Sequence, residues 1–105
     1  MSFKTENYTK KAGKPGYGGR ELIACDCWFT SSGGMQPRFL KWQSPDGEIH
    51  TVPVHTFLPL EDEHFAGRTQ KVFFCTAEQN GTAVYFKLYY NVGECRWKME
   101  WVKNS

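Results

Sequence analysis

The chain has 105 residues, a net charge of +2, 40% hydrophobic residues and 23% charged residues. That length suits one domain with a core large enough to need no metal or disulfide staple, and the composition excludes a disordered or fibrous chain. No apolar run approaches the ~20 residues of a membrane-spanning helix, and the leading "MSFKTENYTKK" lacks the apolar stretch of a secretory signal, so the expected location is cytoplasmic, with reduced thiols.

Residues 1–20 read as a flexible basic Gly/Lys-rich arm. "KKAGKPGYGGRE" has no apolar period and cannot bury enough surface to fold alone. Lys4, Lys10, Lys11, Lys14 and Arg20 there face a single acid, Glu6, whereas residues 21–105 hold eight basic and ten acidic residues. The positive excess therefore sits in the arm, ahead of a slightly acidic body.

From Glu21 the pattern alternates, and residues 21–105 are expected to form a single β domain. "ELIACDCWF" places Ile23, Cys25, Cys27 and Phe29 on one face and Leu22, Ala24, Asp26 and Trp28 on the other. "TSSGGMQP" reads as a loop and "RFLKWQS" as a second strand. Asp46-Gly47 then marks a hairpin turn into "EIHTVPV". Pro53 has no N–H for a ladder, so this strand is expected to end or lie at an edge there. "HTFLPLEDEHFAGR" breaks the alternation, and the acids after Pro59 predict one short helical turn near residues 59–65. "TQKVFFCTA" and "AVYFKLYYN" flank an Asn80-Gly81 turn. "ECRWKMEWV" closes the chain, with Cys95, Trp97, Met99 and Trp101 on one face. The expectation is an all-β fold, a six-stranded antiparallel meander closing into a small barrel or two packed sheets. High aromatic content, 16%, agrees with strands.

Pro37, Leu40, Trp42, Asp46-Gly47 and the closing Trp97 form a pattern that resembles a group of small uncharacterised bacterial all-β proteins of similar length. The resemblance implies a small β-fold over most of residues 21–102 and carries no function.

The four cysteines are the first candidates for chemistry. Cys25, Cys27, Cys75 and Cys95 are the only possible thiolate metal set. Structural zinc favours C-x₂₋₄-C in a turn, but Cys25 and Cys27 have one residue between them on a strand. Their sulfurs would stand about 6.5–7 Å apart along it, against roughly 4 Å for two ligands of one zinc. Asp26 between them opposes a low thiol pKa, which argues against redox chemistry. The favoured reading is that they fill a core. No cofactor is expected. His50, His55 and His64 offer acid–base chemistry, but no nucleophile elbow, phosphate loop or metalloprotease motif accompanies them, so an enzyme is not expected.

Aromatics on both faces of "AVYFKLYY" exceed what one interior can hold. Some of Trp28, Tyr85 and Tyr89 should be exposed or covered by the arm, a partner, or a lid of Phe57, Leu58 and Leu60. These rings, with Lys10, Lys11, Lys14 and Arg20, are the candidate binding residues. The favoured function is a non-catalytic module binding a protein partner or a second copy of itself. The alternative is a single-stranded nucleic-acid binder that stacks bases on rings and neutralises phosphates with the arm.

Overall fold

A computed structural model describes residues 19–102. Eight strands form one antiparallel sheet, with no helix among the described residues: β1 (Glu21–Phe29), β2 (Met35–Gln43), β3 (Ile49–Pro53), β4 (Thr56–Pro59), β5 (Glu63–Phe65), β6 (Arg68–Gln79), β7 (Thr82–Asn91) and β8 (Arg96–Val102). Their order is β3-β2-β1-β8-β7-β6-β4, and β5 also pairs with β6. The first and last strands are thus neighbours, and the two outer strands β3 and β4 follow one another in the chain.

That connection makes the sheet barrel-like. The Val54 amide donates to the Arg38 carbonyl on β2, and the next amide, His55, donates to the Thr76 carbonyl on β6, both at 2.8 Å. One bent segment, residues 49–59, therefore passes from one side of the fold to the other. β1 is likewise shared between the two sides. Its first three residues pair with β8, and Ala24–Phe29 pair with β2.

The expected all-β class is the observed one, but the strand count is eight rather than six. Residues 59–65 hold no helical turn. β4 and β5 lie in tandem along the outer edge of β6, and Leu60 keeps the ladder continuous by donating to the Val72 carbonyl. The acids that suggested a helix start make cross-strand ion pairs instead: Asp62 with Lys71 and Glu63 with Arg20, each at 3.0 Å. An unpaired edge of the twelve-residue β6 would leave its backbone groups to water, and these short strands satisfy them.

β2 begins earlier than its alternation suggests. Cys27 pairs with Pro37 and Asp26 with Phe39, so Arg38 is an extra residue, a bulge. The bulge shifts the face parity, and Pro37 and Leu40 both turn inward. Period-two reading stops at such a point, which is why Met35–Pro37 resembled a loop.

The core is built from alternate residues: Leu40 and Val52 on one side, Phe73, Cys75, Phe86, Leu88, Trp97 and Met99 on the other. Ile23, Cys25, Cys27, Trp42 and Trp101 pack against it, half-buried. Tight turns set the registers. Asn80 and Gly81 have φ of 52° and 77°, the doubly left-handed turn that matches strand twist. A Cβ on Gly81 would meet nothing within 4 Å, so Gly81→Ala tests backbone conformation alone. It is expected to cost about 1 kcal/mol, read as a lower urea midpoint with an unchanged slope.

Candidate interaction surface

Trp28 and Phe29 end β1, and both are exposed, at 57% and 61%. Trp28 points outward by alternation. The bulge at Arg38 carries that guanidinium over the indole, 3.9 Å from the ring centroid. Phe29 belongs to the inward parity but lies beyond the core, where its ring edge meets Tyr90 at 6.0 Å. The same outer face carries Phe39, opposite Asp26, with Lys41 Nζ 5.9 Å from its ring. Two rings and two cations therefore share the outer side of β1 and β2.

The other expected binding rings are differently placed. Tyr89 is 2% exposed, although it points outward. Arg20 covers it at 3.7 Å from the ring centroid and forms two hydrogen bonds, 3.1 and 3.0 Å, to Glu63. The phenol donates to Glu100 at 2.6 Å. Burial first, and this bond second, push the Tyr89 phenol well above its usual pKa. Arg20, placed in the arm by sequence, is thus fastened to the body, and Tyr89 is not offered to a partner. Tyr85 is half-buried, stacked on Phe74 at 6.1 Å. Lys10, Lys11 and Lys14 lie outside the described residues. Phe57, Leu58 and Leu60 do not form a lid: Phe57 turns toward Phe73, 6.2 Å away, while Leu58 stays exposed on the opposite face of β4.

The thiols divide three to one. Cys25, Cys27 and Cys75 point inward. Burial raises all three: Cys75 to about 12, Cys25 with the nearby Cys27, Cys75 and Asp26 charges adding to it, and Cys27 with the Gln36 backbone opposing the rise. Cys95 departs from expectation. It precedes β8, in a turn with φ of 56°, and is exposed. Its amide closes the turn on the Asn91 carbonyl at 2.8 Å; the strand alternation read through Cys95 therefore begins only at Arg96. Among the described residues no three His, Cys, Asp or Glu side chains are grouped to hold a metal ion. With a thiol reagent at pH 7.5, Cys95 should label at least ~10-fold faster than Cys25 or Cys75, since a buried neutral thiol is neither accessible nor nucleophilic. Timed mass spectrometry reads this directly, and equal rates would contradict the placement.

The histidines do not converge. His50 stacks on Trp42 at 5.4 Å, His55 is exposed at the β3–β4 bend, and His64 Nδ1 lies 3.2 Å from Thr69 Oγ1. His50 Nε2 also lies 3.1 Å from Ser44 Oγ, which in turn bonds Asp46. This resembles a hydrolytic relay only in its residue types. The single Ser44 proton goes to the Asp46 carboxylate, so His50 donates to the oxygen rather than drawing a proton from it. The arrangement serves the hairpin: Asp46 also accepts from the Glu48 amide, and the Ser44 and Glu48 bonds hold its carboxyl below the usual range.

Two openings formed by described residues lie beside the segments that cross between the two sides. One is a cleft of about 220 Å³ between Met35 on β2 and Pro59-Leu60 at the end of β4, with the Asp62–Lys71 pair at its rim. The other, about 480 Å³, lies where β1 outruns β8; Ile23, Cys25, Cys95, Arg96 and Trp97 line it. The bulge at Arg38 and the partial β1–β8 pairing left no signal in the sequence pattern, and they create most of this surface. The chain matches no protein-family model, no curated protein and no solved structure.

Proposed function

We propose that the chain is a small, non-catalytic, cytoplasmic β module that binds a protein partner through the outer face and end of β1. The observation that carries this reading is the exposed Trp28-Phe29 pair with Arg38 laid over the indole. Two large rings held in water on a rigid strand favour contact with a partner, and Trp and Arg are the residue types that dominate such contacts. Four free cysteines accord with a reducing compartment. Cross-linking of the full chain in extracts of its source cell, quantified against Trp28→Ala and against Glu78→Ala as a distant control, tests the reading. Loss of a captured protein with Trp28→Ala alone is expected. Identical capture by all three would overturn it.

A second reading has its own support. Trp28, Phe39, Arg38 and Lys41 on one sheet face are the parts of a base-stacking platform with phosphate neutralisation. Ten acidic against eight basic residues in 21–105 oppose it. This reading requires that the full chain bind a fluorescent oligonucleotide at low salt and release it as salt rises; absence of binding at 20–50 mM salt, roughly the range where phosphate contacts are strongest, ends it.

A further inference from the structure

Among the described residues, β1 has half an edge to spare. On one side Ala24–Phe29 pair with β2. On the other, the ladder to β8 runs through Glu21, Leu22 and Ile23 and stops at the Ile23–Trp97 pair. β8 cannot continue, because the chain reverses at Cys95, where φ is 56°. From Ala24 to Phe29 that second edge meets no strand among the described residues. Alternate backbone N–H and C=O groups along it point away from β2. Six residues span about 20 Å, the length of an ordinary strand.

Natural sheets blunt such edges with Lys, Pro, a bulge or a covering segment. "ACDCWF" has neither Lys nor Pro, and its one charge, Asp26, projects to the outer face. The bulge lies on the β2 side. At the Ala24 end of this edge lies the 480 Å³ groove, with Trp97, Ile23 and Cys25 as apolar walls. Arg96 is its only charged lining residue, and it has no ion-pair partner among the described residues. The groove therefore favours an extended segment with alternating apolar side chains and one anionic side chain near Arg96.

We propose that β1 takes an extended peptide of the partner protein as an added strand, in the line that β8 vacates, with a peptide carboxylate on Arg96. This rests on the partner-binding reading and specifies its mode. Main-chain bonds along Ala24–Phe29 supply recognition of the strand, and the groove selects its side chains.

The test uses random decapeptides displayed on phage and panned against the full chain, with the enriched sequences resynthesised as free peptides. Peptides with Asp or Glu at a fixed position are expected. N-methylation at one alternate set of their backbone nitrogens should weaken binding at least tenfold, and at the other set should not. Binding should slow exchange of those Ala24–Phe29 amides that point away from β2, and Arg96→Ala should weaken binding. Peptides that need Trp28 but tolerate methylation at every position would overturn strand addition and leave the partner-binding reading standing. Failure to enrich any peptide overturns strand addition too, whatever the Trp28→Ala cross-linking experiment gives. Slow exchange of those same outward-pointing amides in the free chain would overturn it in favour of an edge already covered by the chain itself. Protection that grows with protein concentration would overturn it in favour of a second copy.

Discussion

Replacing Phe86 with Ala is expected to remove about 3–5 kcal/mol of folding stability, the scale of a large ring deleted from a core that cannot collapse around the gap. Phe86 is 0% exposed and sits mid-strand on β7, with β6 on one side and β8 on the other. Its ring meets Trp101 edge-on at 6.0 Å, so a contact with geometry is lost along with the buried area. A domain of this size holds only about 5–15 kcal/mol in all, and the melting midpoint should fall by roughly 15–30 °C. Phe65→Ala is the control. That ring is 82% exposed, and its loss should stay within ~0.5 kcal/mol. Urea unfolding of the three proteins decides the matter; comparable losses at both positions would refute the placement of the core.

Cys75→Asp should be more damaging still. The thiol is fully buried on β6 among core residues, and burial alone holds it neutral, with a pKa near 12. A carboxylate there has no charged partner, and several kcal/mol of desolvation would fall on a fold of modest stability. We expect the variant to be largely unfolded at neutral pH by circular dichroism. Cys75→Ala, a small deletion, should cost only about 1–2 kcal/mol. The sign of the pH effect separates burial from crude misfolding. Burial raises the carboxyl pKa of the folded variant, so the folded form holds its proton more tightly than the unfolded chain does. Acidification to about pH 4 should restore part of the structure, and rising pH should remove it. The native thiol follows the same linkage at the alkaline end. The unfolded thiol ionises near 9 and the folded one near 12, so native stability falls as pH rises through that window.

The strands that alternate cleanly were legible from residues alone. In β8, Trp97 and Met99 face the core and Lys98 faces water, because a two-residue period has no other way to bury one face. Asn80-Gly81 announced its turn for a similar reason, as few residues accept two successive left-handed conformations. The segment Pro59–Glu63 misled. Its acids suit a helix start in isolation, and only the arrival of Lys71 and Arg20 from distant positions turns them into cross-strand partners. Tyr89 depends on the same kind of long-range arrival. Its outward parity was correct, but the residue that covers it, Arg20, sits 69 positions earlier, held by Glu63.

By itself, then, the sequence determined the class: all-β, with inward thiols at Cys25 and Cys27 and hairpins at Asp46-Gly47 and Asn80-Gly81. These are local or periodic properties, written in neighbouring residues. The tertiary structure alone decided which strands become neighbours, where β1 and residues 49–59 pass from one side to the other, and that the extra residue Arg38 lands on Trp28. Those features arise from pairing between distant segments, where one inserted residue or one lost ladder pair changes the outcome while the local pattern stays the same. The edge of β1 that meets no strand among the described residues belongs to this second kind.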